Sequence, residues 1–87
     1  MLDTVFIKNL PTIDLHGYDR LTAKILLIDF INDCYKLKEK RIVIIHGKGT
    51  FILKEEVNKV LGKNKYIKEY KSQVFNAGCT IAELNLN

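Results

Sequence analysis

The 87-residue chain has few cysteines, no export signal and no long apolar run. Its two cysteines, Cys34 and Cys79, lie far apart, so they predict neither a disulfide framework nor a pair of metal ligands. We interpret both as small buried residues in a reducing cytosol. No basic apolar leader with a small-residue cleavage site starts the chain, so we expect a cytoplasmic protein. No apolar run exceeds Ile25 to Ile28, which is too short for a membrane span.

Chain length and net charge limit the number of domains and the class of partner. A chain of 87 residues is one domain with one modest core, and 47% hydrophobic residues is ordinary for a globular protein. The 14 basic residues exceed the 10 acidic ones, which gives a net charge of +4. This charge gives a slight bias toward anionic partners such as nucleic acid.

Patterning predicts alternating strands and helices. The segment before Pro11 has strand-like composition, and we predict residues 1–11 to be an N-terminal extension or strand and residues 12–87 to be the domain. Ile13 to His16 alternates apolar and polar residues, as a strand with one buried face does. Residues 41–46 are nearly all apolar, which is typical of a central strand covered on both faces. Weaker patterns predict strands at 67–75 and 79–86, with a turn at 76–78.

Two helical patterns separate these strands. The first runs from an N-cap at Asp19 or Thr22 to about Lys38, and its apolar stripe should face the sheet: Ala23, Leu26, Leu27, Phe30, Ile31, Cys34 and Leu37. A second apolar group projects oppositely, covered by other elements or open for self-association: Leu21, Ile25, Ile28 and Tyr35. The second helix is predicted at 51–61, with its stripe at Leu53, Val57, Val60 and Leu61. The fold class is therefore α/β, a two-layer sandwich of order β-α-β-α-β-β with a mixed four-stranded sheet.

Both histidines occur where a predicted strand ends at a glycine, in IDLHG (13–17) and IIHGKGT (44–50). We call these segments the first and second His–Gly joints. Ligands of open α/β sheets gather beyond the carboxyl ends of parallel strands, so we expect the joints to share one rim. Asp14 should lie on the same side of its strand as His16, and Lys48 should reach over the rim. Glycines permit close backbone approach, and a helix starting at Thr50 offers free N–H groups to a phosphate. A carboxylate, two imidazoles and an ammonium group would suit phosphodiester cleavage.

Structural alternatives stay open for each residue. Either histidine could be a structural hydrogen-bonding residue at a strand end, Asp14 could bond backbone amides near Gly17, and Lys48 could be simply solvated. The second joint is not a Walker A loop, because it lacks the GxxxxGK[ST] spacing. Asp14, His16 and His46 could ligate a divalent ion, but no further ligands stand close to them in sequence, so no metal site is predicted.

The chain resembles the Smr family, the small MutS-related domain found at the C-terminus of MutS2 proteins and as free-standing proteins. The similarity rests on DLHG, HGKG, Leu53-Lys54 and the terminal Gly78-x-Thr80-x-x-x-Leu84, and it covers residues 12–86. It implies a sandwich like the C-terminal domain of translation initiation factor 3. It also implies endonuclease activity on RNA or DNA, linked to translation quality control or to DNA repair and recombination.

The resemblance also implies site residues. Asp14, His16 and His46 would be catalytic, and the residues that hold phosphate or nucleic acid would be Gly17, Gly47, Lys48, Gly49, Thr50 and Lys54. Lys54 replaces the family's usual arginine, so a bidentate phosphate contact is lost. Phe51 stands where the family commonly has glycine, and only Asn76-Ala77-Gly78 represents a glycine-rich approach to the last strand. Both departures bear on substrate loading.

Three functions are weighed on these observations. The first is an endonuclease, with RNA favoured because its 2′-hydroxyl is an internal nucleophile, whereas a divalent cation (Mg²⁺ or Mn²⁺) becomes more important for DNA. The second is a non-catalytic module that binds RNA, DNA or the ribosome, with Tyr18 and Phe51 available to stack on bases and a set of cations along the backbone: Lys38, Lys40, Arg41, Lys48, Lys54 and Lys59. The third is an adaptor that docks or dimerises through Leu21, Ile25 and Ile28. A monomer or a weak homodimer is expected.

Overall fold

A computed structural model describes residues 10–47, 51–73 and 78–86 of the chain. Its elements alternate in the predicted order: β1 (Thr12–Asp14), α1 (Arg20–Lys36), β2 (Arg41–Ile45), α2 (Phe51–Lys63), β3 (Ile67–Ser72) and β4 (Cys79–Leu84). The predicted N-terminal strand and residues 76 and 77 of the predicted turn lie outside the described residues. Neither helix in the described ranges has the length and apolar character that a membrane crossing requires.

The four strands form one mixed sheet in the order β1-β2-β4-β3. β1 and β2 are parallel neighbours, with Ile13 opposite Ile44 and Asp14 opposite Ile45. β4 pairs antiparallel with both β2 and β3. The predicted fold class is therefore confirmed, and the carboxyl ends of β1 and β2 lie side by side.

The main core lies between the helices and one face of the sheet. The sheet contributes Leu15, Ile42, Ile44, Ala82 and Leu84, which follow the two-residue period of strands. The helices contribute Ala23, Leu27, Ile31, Cys34, Leu53, Val57, Val60 and Leu61, which include the predicted α2 stripe. This packing confirms the helical periodicity and fixes the ends of β1 and β2 relative to the starts of the helices.

The opposite sheet face is also buried at its centre. Val43, Cys79 and Ile81 form a second, smaller cluster, with Leu10 and Ile45 packed against it. β2 thus carries buried residues on both faces, as its apolar sequence predicts. Both cysteines are free and buried, and burial raises the pKa of each thiol.

The ends of both helices and of the last two strands differ from the predictions. α1 ends at Lys36, because Lys38 adopts a left-handed conformation with φ 60° and the chain turns away. Leu37 therefore leaves the predicted stripe and is exposed. α2 continues through Gly62 to Lys63, and the last two strands stop at Ser72 and Leu84.

The outer apolar group of α1 is divided. Leu21 and Ile25 are exposed, whereas Ile28 and Tyr35 are partly buried against the main core. Tyr35 also stacks on Tyr66, with ring centroids 4.0 Å apart. Within the described residues, Leu21 and Ile25 are therefore the most exposed members of this group.

Candidate functional site

The first joint carries an aspartate–histidine pair on the surface. Asp14 is the last residue of β1, and His16 follows two residues later on the same side of the chain. The Oδ1 atom of Asp14 accepts hydrogen bonds from Nδ1 of His16 at 2.5 Å and from its backbone N–H at 3.1 Å. The His16 side chain is 68% exposed and that of Asp14 is 50% exposed. The predicted proximity of the two side chains is confirmed.

The hydrogen bond to His16 keeps Asp14 ionised and fixes which nitrogen of the ring faces it. Hydrogen bonding to the His16 side chain, with help from its backbone N–H, lowers the pKa of Asp14, so this carboxyl is ionised at neutral pH. An ionised carboxylate only accepts hydrogen bonds, so Nδ1 of His16 carries a proton. In the neutral ring, Nε2 is then the basic nitrogen, and it is directed away from Asp14. This arrangement is suited to proton transfer.

The glycine of the first joint ends β1 with a tight turn. Gly17 has φ +87°, and the backbone N–H of Tyr18 donates to the carbonyl of Leu15 at 3.2 Å. A positive φ at the third position is characteristic of type II turns and favours glycine. Asp14, His16, Gly17 and Tyr18 line a shallow, open pocket beyond the turn.

The glycine of the second joint has the same backbone conformation. Gly47 also has φ +87°. The backbone N–H groups of His46 and Gly47 both donate to the carbonyl of Gly78, at 2.8 and 3.0 Å. The end of β2 is therefore tied to the start of β4.

The two joints are in direct contact. The backbone N–H of Leu15 donates to Ile45 at 2.7 Å and extends the β1–β2 pairing past the last strand residue. A β-carbon added to Gly47 would lie 3.2 Å from the β-carbon of His16. The predicted shared rim is therefore present, and glycine at position 47 makes room for His16.

His46 belongs to the interior. It is 2% exposed, its Nε2 lies 3.0 Å from the hydroxyl of Thr80, and its Nδ1 lies 3.2 Å from the carbonyl of Gly47. Burial lowers the pKa of His46, and the positive charge of Lys54 acts in the same direction. The ring is therefore neutral, with Nδ1–H donating to Gly47 and Nε2 accepting from Thr80. The structure brings the backbones of both joints together but separates the two imidazoles.

Strand periodicity explains this separation. Asp14 and His16 alternate with Ile13 and Leu15, which face the helices. His46 lies two residues after Ile44, which also faces the helices, and it therefore follows the inward side of β2. The same period applied to β2 would have indicated the burial of His46 from the sequence.

The remaining predicted site residues are only partly described. Lys48, Gly49 and Thr50 lie outside the described residues, so their phosphate-binding role stays a prediction. Lys54 is half-buried on the first turns of α2, near enough to His46 to influence its pKa. Lys38 and Lys40 precede β2, whereas Lys54 lies on α2, and the predicted track of cations stays a prediction.

Metal ligation requires more donors than the joints supply. Within residues 10–47, 51–73 and 78–86, no group of three or more His, Cys, Asp and Glu side chains could hold a metal ion. Asp14 and His16 bond each other, and both ring nitrogens of His46 have other partners. The described side chains therefore do not fit a preformed divalent-metal site.

An ion pair beside the first joint was not predicted. Nε of Arg20 lies 2.9 Å from Oε1 of Glu56, which joins the start of α1 to α2. Glu56 is buried, although it is a carboxylate. Its sequence position, three residues after Leu53 and next to Val57, is on the apolar stripe. A carboxylate on a buried stripe is the signal from which a cationic partner could have been predicted.

Comparisons with known proteins bear on the family and the fold of the chain. The family model described as Smr domain matches residues 13–85. The chain is 39% identical over 77 residues to Endonuclease MutS2 of Halothermothrix orenii, covering 85% of this chain and 10% of that protein. It is 33% identical over 76 residues to Endonuclease MutS2 of Clostridium kluyveri, with 84% and 10% covered. The chain thus spans about a tenth of the length of these relatives.

Two solved structures share the fold. The Smr domain of Thermus thermophilus MutS2 superposes with a TM-score of 0.84 at 20% identity, covering 87% of this chain and 99% of that domain. YdaL, a stand-alone small MutS-related protein from Escherichia coli, gives 0.82 at 17% identity, covering 98% of this chain and 78% of YdaL. The sheet order and the two-helix layer are therefore those of known Smr structures.

Proposed function

Because the chain belongs to the Smr domain family, we propose that it is an endonuclease that cleaves phosphodiester bonds in nucleic acid, preferentially RNA. The name of its relatives, Endonuclease MutS2, supports nuclease activity in the family. The observation that carries the proposal is the exposed hydrogen bond of 2.5 Å between Asp14 and His16. It fixes one imidazole nitrogen and leaves the other for a substrate.

His16 is the proton-transfer residue in this proposal. Its Nε2 takes the proton from a 2′-hydroxyl, whose oxygen forms a bond to the adjacent phosphorus while the bond from phosphorus to the 5′-oxygen breaks. The Asp14 carboxylate stabilises the imidazolium that forms. The imidazolium then gives its proton to the leaving 5′-oxygen, so the products are a 2′,3′-cyclic phosphate and a 5′-hydroxyl.

The second joint binds the phosphate in this scheme. Gly47, next to His16, allows the backbone to approach the phosphate, and Lys48, Gly49, Thr50 and Lys54 supply amides and positive charge. A direct proton-transfer role for His46 stays a prediction. Its burial and its bonds to Thr80 and Gly47 favour a positioning role, in which it holds the joint in place.

RNA is favoured by the donor set of the site. With an internal 2′-hydroxyl nucleophile, one imidazole and fixed positive charge are sufficient, and no step depends on a metal. DNA lacks this nucleophile, so water must attack, and Mg²⁺ or Mn²⁺ becomes more important. Messenger RNA on ribosomes is consistent with this choice, whereas a role in DNA repair or recombination would require cleavage of DNA.

Cleavage assays test the proposal. The purified protein is incubated with labelled single-stranded RNA, structured RNA and supercoiled plasmid, each with Mg²⁺ or with a chelator. We expect RNA cleavage that resists the chelator, leaves 2′,3′-cyclic ends and is lost in His16→Ala. Equal cleavage by His16→Ala and wild type would remove the proposed site from consideration.

A second candidate is a non-catalytic module that binds nucleic acid or the ribosome. One observation favours it: only one of the two imidazoles is exposed, so the described site offers a single proton-transfer group. Binding that weakens steeply with salt, without turnover at high protein concentration, would favour this candidate.

A further inference from the structure

A groove runs between α1 and α2. It consists of two adjoining cavities of about 200 and 500 Å³. Both cavities are lined by Lys24, Glu56 and Lys59. The groove is therefore continuous along the two helices. The function proposed above assigns it no role.

Cations line both walls of the groove. Arg20 and Lys24 are four residues apart on α1, and Lys59 and Lys63 are four residues apart on α2. Residues at this spacing lie on one helix face, about 6 Å apart along the axis. Glu56 is paired with Arg20 at 2.9 Å, so its charge is compensated within the groove wall. Asp19 adds one more carboxylate at the mouth, so Lys24, Lys59 and Lys63 leave the groove with an excess of positive charge for an anion.

The groove begins where the proposed nuclease site ends. Asp14, His16, Gly17 and Tyr18 line the pocket of the first joint, and Asp19, Arg20 and Leu21 line the mouth of the groove. In the chain, the turn around Gly17 joins the residues of the pocket to those of the groove mouth. An RNA strand bound at His16 would have to pass around this turn, and past Asp19, to reach the lysines of the groove.

The shape of the groove selects among polyanions. Its floor includes the apolar side chains of Ile28 and Val60. The axes of packed helices are generally about 8–10 Å apart, so the furrow between two helices is much narrower than a nucleic-acid duplex and suits a single strand better. An acidic amphipathic helix of a protein would also fit an apolar floor with basic walls. Continuity with a site for phosphodiester bonds favours the nucleic-acid strand.

We propose that the α1–α2 groove binds the single-stranded RNA that extends from the scissile bond, through Lys24, Lys59 and Lys63. The proposal rests on the proposed function, since it places the reacting phosphate at the first joint. It predicts that affinity depends on RNA length and that protein contacts extend several nucleotides to one side of the cut. The groove would thus make the enzyme selective for unpaired RNA.

The test compares two double charge reversals of equal net charge. Lys59→Glu with Lys63→Glu alters the groove, and Lys36→Glu with Lys71→Glu alters exposed lysines that line neither groove cavity. Fluorescence anisotropy measures binding of single-stranded RNAs of about 4 and about 20 nucleotides across a salt series. Circular dichroism verifies folding, and Lys59→Gln with Lys63→Gln repeats the test by removing charge without reversing it.

For the long RNA, we expect the groove reversal to weaken binding at least tenfold more than the control reversal. The slope of log K against log salt should fall by about 1.4, which corresponds to two lost phosphate contacts. The short RNA should bind both variants alike. Equal affinity of both variants for the long RNA would overturn the proposal. An acidic protein helix would then be the remaining candidate ligand of the groove.

The groove assignment and the endonuclease assignment can fail independently of each other. If no variant cleaves RNA but the groove reversal still abolishes length-dependent binding, the groove assignment stands and the endonuclease assignment fails. If RNA is cleaved at the first joint with the same length dependence in both reversals, the groove assignment fails alone.

Discussion

His16 and Gly47 are in contact across the two His–Gly joints, because a β-carbon on Gly47 would lie 3.2 Å from that of His16. Gly47 also has φ +87°, which disfavours any other residue. Backbone conformation and close contact therefore both require glycine at this position. The position of the exposed His16 imidazole therefore depends on the absence of a side chain at Gly47, at the end of the neighbouring strand.

Gly47→Ala should displace the His16 side chain, because the added methyl group contacts it. Gly17→Ala should add no such contact. Both glycines have φ +87°, but an added β-carbon at Gly17 meets nothing within 4 Å. Each substitution should cost about 1–2 kcal/mol of stability from backbone strain. Only Gly47→Ala should add a displacement of His16. Thermal unfolding and RNA cleavage, measured on both variants, separate the two effects, and equal loss of cleavage would contradict this reasoning.

Asp14→Asn should lower cleavage by about 100-fold or more, because it removes the carboxylate that orients His16 and stabilises its charged form. The side chain is half exposed, so the fold should be retained. Asp29→Asn, an exposed change in α1, is the matched control and should leave the rate unaltered. Single-turnover cleavage of labelled RNA measures the difference, and a rate for Asp14→Asn near that of the control would argue against proton transfer by this pair.

His46 should make stability depend on pH. Because burial lowers the pKa of His46 below its usual 6.5, the unfolded chain binds this proton first as the pH falls. Its stabilising contribution is complete above about 6.5 and is lost as the pH falls through the lower folded pKa. In His46→Gln, the free energy of unfolding, measured with urea between pH 8 and 5, should therefore decline less steeply than in the wild type. The difference in slope should correspond to the uptake of at most one proton. Parallel declines would show that His46 does not titrate as its burial implies.

The ion pair between the helices should respond asymmetrically to mutation. Arg20→Met leaves the Glu56 carboxylate buried without its partner, which should cost about 1–3 kcal/mol. Glu56→Gln leaves Arg20, which is 56% exposed, with access to water, so the loss should be smaller. Urea denaturation of the two variants makes the comparison. A larger loss for Glu56→Gln would contradict the expectation that the buried carboxylate is the costlier partner to leave unpaired.

Much of the fold could be predicted because periodicity is a local property. The α2 stripe at Leu53, Val57, Val60 and Leu61 is buried as the helical period requires. Leu37 was assigned wrongly, because the end of α1 depends on the left-handed turn at Lys38, a residue without the usual glycine signal.

The site was harder to predict than the fold. The contact between Asp14 and His16 follows from their spacing on one strand, and the contact between the joints follows from parallel pairing of β1 and β2. The burial of His46 depends on Thr80, which lies 34 residues further along the chain. No local pattern specifies such a partner, although the two-residue period of β2 indicates the direction in which the imidazole lies.

The two cysteines lie on opposite sides of the sheet. Cys34, on α1, packs in the main core between the helices and the sheet, and Cys79 belongs to the smaller cluster on the other face. A thiol reagent can reach each one only when its own layer opens. The rates at which Cys34 and Cys79 react in the native protein would therefore report separately how often the structure opens locally on each side of the sheet. No cysteine would have to be introduced for this measurement.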